Sequence, residues 1–260
     1  MDPFTVVEGP GALIATAIHD GHALRDELAS LVSLDDATRL REEDPHTGRI
    51  ARVVPTHLIA KHSRFEVDLN RPRESAVYAT PEDAWGLSVW PSPLDAGVIE
   101  RSLGLYDAFY ARLSGLIAAK IAEYGNVAIL DIHSYNHCRE SRIAADPAHN
   151  PEINLGTGTL DRMRWGGLVD RFCAELSSCG FDVRENVKFQ GGEMSKWIHR
   201  TFPANAACLA IEFKKTFMDE WTGIVDDTHV ARMARGIATI LPGILEELAR
   251  PVGHRSKVAR

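Results

Sequence analysis

Residues 125–135 read Gly-Asn-Val-Ala-Ile-Leu-Asp-Ile-His-Ser-Tyr, and this stretch decides the architecture. Upstream of it, Leu103 to Tyr124 carries apolar residues at helical spacing with few breakers, and Gly125 stops the run. Val127 to Leu130 is then continuously apolar and too short for a helix, the pattern of a strand buried on both faces. Asp131 and His133 are placed at the end of that strand. A helix that feeds a doubly buried strand is a unit of a largely parallel or mixed sheet covered on both sides.

The rest of the chain repeats the theme. Gly11 to Ile18 is a second continuous apolar run, bounded by Gly-Pro and His-Asp-Gly and ending at His19. Leu24, Leu28 and Leu31 have helical spacing, Arg41 to Gly48 reads as loop, and Ile50 to Val54 reads as a strand. Phe65, Val67 and Leu69 alternate with Glu66, Asp68 and Asn70, which predicts an extended segment with one face buried, ended by Pro72. Pro81 to Pro93, with Trp85 and Trp90, suits an ordered loop that roofs a pocket. Asn150 to Thr159 is rich in Gly, Asn and Thr and reads as loop. It precedes a helix over Asp161 to Ser178 and a short strand near Phe181 to Val183. Ala206 to Ile211 is the last buried strand, Glu212 follows it, and an amphipathic helix from Asp227 to Ala249 is expected to break or kink at Pro242. One domain over residues 1–260 is expected, with a polar, frayed tail from Pro251 to Arg260.

Composition narrows the function. The 260 residues are 45% hydrophobic and 25% charged with a net charge of −7, enough for a sizeable core. No dense Lys/Arg block provides a footprint for nucleic acid or an anionic membrane, so small molecules are the expected partners. The longest apolar stretches are too short to span a bilayer, and the first residues lack a signal-peptide pattern, which points to a cytoplasmic location. Cys138, Cys173, Cys179 and Cys208 form no CxxC pair and read as reduced, buried small hydrophobes.

His19, His133 and Glu212 each fall just past a different expected strand, on the rim where open α/β sheets bind ligands. Imidazoles and carboxylates are ligands that zinc takes when a position is kept open for water. His19 and His22 form HxxH, which offers a second imidazole, although Asp20 in the same turn also suits a helix cap. Asp131 and His133, two apart on a strand, share a face, so the carboxylate is able to orient the ring, the alternative being that Asp131 caps backbone donors. Arg64, Asn70 and Arg71 gather forked donors suited to a carboxylate, the competing reading being ion pairs with Glu66, Asp68 or Glu74. Ser134 and Ser63 lack a GxSxG elbow, which weighs against a serine hydrolase.

The segments 19–22 (HDGH), 63–72 (SRFEVDLNRP), 131–137 (DIHSYNH), 150–159 (NPEINLGTGT), 185–192 (ENVKFQGG) and 210–223 (AIEFKKTFMDEWTG) together resemble the N-formylglutamate amidohydrolase family over most of the chain. That family is similar in fold to zinc carboxypeptidases and aspartoacylase-type deacylases. The resemblance implies a three-layer α/β/α sandwich with a mixed central sheet, of hydrolase type, and a zinc ion that activates water against an amide carbonyl. It further implies that His19 and His133 are metal ligands, that Glu212 is the general base and acid, and that Arg64 polarises the scissile carbonyl. Asn70 and Arg71 would hold the carboxylate of an N-acyl acidic amino acid. The carboxypeptidase-like relatives have HxxE where this chain has His22, so two third ligands stay open: His22 itself, or Asp44 or Glu43 from the acidic segment Arg41-Glu-Glu-Asp44. Beside hydrolysis of an N-formyl amino acid stand a zinc peptidase and a catalytically silent metal- or carboxylate-binding protein of the same fold.

Overall fold

The computed structural model describes residues 3–138 and 143–250, so the expected tail from Pro251 to Arg260 lies outside the described residues. The strands are β1 (Phe4–Val7), β2 (Leu13–Ala17), β3 (His57–Ala60), β4 (Val127–Tyr135), β5 (Ile153–Gly156), β6 (Val183–Glu185) and β7 (Ala206–Lys214). The helices are α1 (Asp26–Ala29), α2 (Asp36–Glu42), α3 (Thr47–Ala51), α4 (Ala96–Tyr124), α5 (Arg162–Ser178), α6 (Glu193–Thr201) and α7 (Asp227–Ala249). The strands form one sheet in the order β1-β3-β2-β4-β7-β5-β6. β3, β2, β4 and β7 run parallel, whereas β1 against β3 and β5 against β7 are antiparallel, so the sheet is mixed.

Side-chain alternation splits the core between the two sheet faces. On one face Leu13, Ala15 and Ala17 of β2, Leu130 and Ile132 of β4 and Leu209 and Ile211 of β7 pack against α3, α5 and α7. On the other, Ile14, Ile129 and Cys208 pack under α4 and α6, through Phe109, Leu113, Ile117, Met194 and Ile198. This three-layer α/β/α arrangement is the expected one. Because both faces are covered, the central strands carry no polar side and read as unbroken apolar runs.

The ionisable exceptions in those strands fall on the α4 and α6 face. Asp131 and His133 share the parity of Ile129, and Glu212 that of Cys208, so the strands aim these groups to the same side of the sheet.

Several local expectations change. Ile50 and Ala51 belong to α3, not to a strand. A five-residue segment with apolar residues at all positions but Arg52 does not distinguish the two, and Ile50 and Val54 both reach the core from helix and turn. Arg41 to Gly48 is loop only at residues 43–46, which bridge the end of α2 and the start of α3. Residues 65–69 form turns rather than a strand, because Glu66 and Asp68 are as buried as their apolar neighbours and are satisfied inside. Ile153–Gly156 is a strand within the expected loop, paired on both sides by β6 and β7. β4 and β7 run on to Tyr135 and Lys214, so His133 and Glu212 lie within the last third of their strands. α7 passes through Pro242 as one helix. Of the cysteines only Cys208 is buried, and Cys179 is exposed, so the expectation of four buried thiols holds for one. No helix of the described residues is long and apolar enough to cross a membrane.

Candidate active site

A cavity of about 680 Å³ opens at the C-terminal ends of β2, β4 and β7, and His19, Asp44, Arg64, Asn70, Trp85, His133, Glu212 and Lys215 are among the residues that line it. Its location is the one that parallel strands favour for ligands.

At its floor two imidazoles turn the same nitrogen toward one carboxylate. His133 Nδ1 lies 3.1 Å from Asp44 Oδ2, and His19 Nδ1 lies 3.4 Å from the same oxygen. The far side of each ring is backed by a second carboxylate: His19 Nε2 is 2.7 Å from Asp68 Oδ1, and His133 Nε2 is 2.9 Å from Asp131 Oδ2. Asp131 is itself held by the Thr16 hydroxyl, which donates to its Oδ1 at 2.9 Å. Carboxylate backing of one ring nitrogen is how metal-binding histidines are oriented, with the other nitrogen left for the ion. Ligand atoms about 2.0–2.1 Å from a tetrahedral zinc stand about 3.3 Å apart, close to the separations seen here. The donor set of His19, Asp44 and His133 therefore fits a metal, its ligand atoms all within 4.8 Å of one another.

Asp44 arrives from a tight connection. Its N–H donates to the His19 carbonyl at 2.8 Å, and Thr47 Oγ1 donates back to the Asp44 carbonyl at 2.6 Å. His46 takes a left-handed φ of 71° to complete the turn into α3, a conformation uncommon outside glycine. Asp20 anchors the same turn by accepting the Gly48 N–H at 3.0 Å, so it serves the start of α3 rather than capping α1. Burial alone would raise the Asp44 carboxyl, but hydrogen bonds from His133 and His19 outweigh it and keep the group well below the usual carboxylate range.

His22 is not brought into this group. Its half-exposed ring places Nδ1 2.6 Å from Glu43 Oε2, with Arg39 on the other nitrogen. Glu43 accepts from the Ser63 hydroxyl as well, and faces this network instead of the cluster of His19, Asp44 and His133. The HxxH spacing fails as a chelate because β2 ends before His19 and no helical turn follows, α1 beginning only at Asp26.

Glu212 is set apart from every other carboxylate at this end of the sheet. It makes no hydrogen bond or ion pair to a described residue, and burial, partly offset by the His133 charge, pushes its carboxyl up to about 7.

Arg64 lines the cavity with its guanidinium 2.8 Å from Asp68 Oδ2, 3.1 Å from the Tyr78 hydroxyl and 4.7 Å from the Trp85 ring centre. Asn70 also faces the cavity, and its Oδ1 accepts the Met194 N–H at the start of α6 at 3.1 Å. Arg71 is not among the lining residues. Its guanidinium lies 3.6 Å from Asp68 Oδ2, donates to the Asp83 carbonyl and stacks over Tyr78, which is the structural ion-pair reading. Trp85 lines the cavity, whereas Trp90 is occupied with the Tyr78 carbonyl at 2.9 Å.

The model of the N-formylglutamate amidohydrolase family matches residues 11–218. The chain belongs to that family. N-formylglutamate amidohydrolase from Ralstonia eutropha JMP134 superposes with a TM-score of 0.81 at 21% identity, covering 95% of this chain and 99% of that one. A gene product from Agrobacterium tumefaciens superposes at 0.72 with 20% identity, covering 95% and 96%. At these identities the two structures speak for the fold alone. No curated protein matches the chain in sequence.

Two features of this family member escaped the sequence reading. Residues 188–192 form a wall of the cavity, held by the Asn154 side chain: its Oδ1 accepts the Lys188 N–H at 2.8 Å and its amide donates to the Phe189 carbonyl at 2.8 Å. Gly192 packs directly against Asn70 there, since a Cβ would meet its side-chain amide at 2.2 Å and displace it. The second is Lys215, a lysine only 1% exposed whose ammonium is pushed down by burial. The run Lys214-Lys215 after an apolar strand was its only signal. A further group, His137, Cys138 and Glu220, also clusters donor atoms. There Glu220 already accepts the backbone N–H groups of His137 and Cys138, at 2.7 and 3.1 Å, and so closes a loop.

Proposed function

We propose that this chain is a zinc-dependent amidohydrolase that removes an acyl group, formyl as the default, from the nitrogen of an acidic amino acid. The observation that carries the reading is the contrast at the cavity floor. His19 and His133 are locked onto Asp44 by carboxylates behind them, while Glu212 on the adjoining strand is left without a partner. Bound to that trio, zinc would supply a Lewis acid for the amide carbonyl and lower the pKa of a coordinated water to about 7.

The chain's own residues do the rest. Glu212 takes a proton from the attacking water and delivers it to the leaving amide nitrogen, a task that suits a carboxyl raised to about 7. Arg64 offsets charge that grows on the carbonyl oxygen, its guanidinium plane fixed by Asp68 and Tyr78. Asn70, on the cavity wall, is the group for the substrate's free carboxylate, and two cations on the lining, the partly buried Arg64 and the buried Lys215, favour an anionic ligand. Water adds across the C–N bond, and the products are a carboxylic acid and a free amine.

The test is a panel of N-acyl amino acids offered to zinc-loaded protein, with release of formate and of free amine measured. Turnover highest on an N-formyl acidic amino acid is the expected result. Zinc binding with no hydrolysis of any member would replace this reading with the silent metal-binding one.

A further inference from the structure

Asp44 is the member of the histidine–carboxylate trio farthest from the sheet in sequence, since His133 lies within β4 and His19 two residues past β2. It sits on the four-residue bridge between α2 and α3, so something other than the sheet must fix its position relative to His133. The peptide unit that joins Glu43 to Asp44 is gripped from both sides. Its N–H donates to the carbonyl of His19, just past β2, at 2.8 Å. Its carbonyl accepts from Lys215 Nζ, which also donates to the Arg41 carbonyl at 2.6 Å. Lys215 follows β7 directly, and its own N–H is tied to the Tyr135 carbonyl of β4 at 3.0 Å.

We propose that Lys215 is a positioning residue for the metal centre, an ammonium clamp that holds the Glu43–Asp44 peptide against the sheet so that the Asp44 carboxylate meets His19 and His133. The inference rests on the metal-binding reading of that trio. Its physical basis is that a buried peptide carbonyl must find a donor, and that the donor here is carried by the strand that also carries Glu212. Ligand loop and general base thereby share one rigid support. A merely neutralising role has the opposite signature. A positive charge beside a cation site repels the cation, so deleting the charge with Asp44 still in place would tighten metal binding. Loss of the clamp weakens it instead, as loss of groups that orient metal ligands commonly does, by about 10- to 100-fold.

The measurement is zinc affinity of the purified full chain by competition with a chromophoric chelator. Wild type is compared with K215M, D44A and the double variant, and the fold of each metal-free protein is checked by circular dichroism and thermal melting. K215M is expected to keep its secondary structure and bind zinc about 10- to 100-fold more weakly. In the D44A background the same substitution should change zinc affinity by less than about twofold, because Lys215 acts through Asp44. Equal or tighter zinc binding by K215M overturns the proposal, and so does a loss as large without Asp44 as with it. If K215M does not fold, K215Q, which keeps an amide donor on a shorter stem, is measured against the same criteria. Wild type that binds no zinc would instead remove the metal reading itself, and this inference with it.

Discussion

His133 and Glu212 are direct partners across the parallel β4–β7 pair, so a ring of the histidine–carboxylate trio and an unpaired carboxylate leave the sheet side by side on one face. Adjacent parallel strands stand about 4.8 Å apart, which sets the two groups within reach of one small ligand.

Glu212→Gln removes the proton acceptor and keeps the shape. Turnover on the best amide substrate is expected to fall ~100-fold or more, with zinc content and thermal stability close to wild type. Steady-state kinetics beside metal analysis decides it, and near-normal turnover would take Glu212 out of the mechanism.

The metal trio makes a prediction that the HxxH spacing alone does not. Asp44→Ala should lose zinc severely, whereas His22→Ala should hold about one zinc per chain, since its ring is engaged with Glu43 and Arg39 rather than with the cluster. Zinc quantified after gel filtration in chelator-free buffer distinguishes the two. Loss of zinc in the His22 variant with retention in the Asp44 variant would relocate the third ligand.

Arg64 and Arg71 should behave differently although both approach Asp68. Arg64→Ala is expected to lower kcat/KM about 10- to 150-fold, the worth of one charge-assisted contact of ~1.5 to 3 kcal/mol. Arg71→Ala is expected to change KM less than about threefold and stability by about 0–1 kcal/mol, because its partners are Asp68 and Asp83 and it is partly exposed. A large KM increase for Arg71→Ala in a normally folded protein would return that residue to the substrate site.

His199 offers a pH prediction away from the site. Burial pushes its imidazole down to about 4 from 6.5, and its Nε2 accepts the Cys208 N–H at 3.0 Å, so the folded protein keeps the ring neutral. The unfolded chain binds a proton there first, so this contribution to stability is complete above pH 6.5 and is lost as pH falls through about 4. Denaturant melts across that window should show His199→Gln losing less stability on acidification than wild type does. An NMR titration of His199 with a midpoint near 6.5 in the folded state would contradict it.

The central layer was legible because of period and length. A strand covered on both faces must be apolar at every position, so Val127 to Leu130 and Ala206 to Ile211 announced themselves, as did the long helical spacing of Leu103 to Tyr124. The same strands made their polar interruptions conspicuous, and His133 and Glu212 followed from that. Ile153–Gly156 was hidden because its Asn and Gly suit loops and only pairing with β6 and β7 makes it a strand. Which group joins His19 and His133 was beyond any local rule. His22 and Asp44 are both ordinary zinc ligands, and the choice depends on which one the chain carries back to β2 and β4. That return is decided by contacts far apart in sequence: Asp44 N–H on His19, Lys215 on Glu43, and Glu43 drawn off to His22 and Ser63. Sequence by itself determined the sheet and the chemistry on its strands, since those depend on patterns within a few residues. Tertiary structure alone decided which loop groups join them, since a loop's position is set by the hydrogen bonds its backbone finds elsewhere.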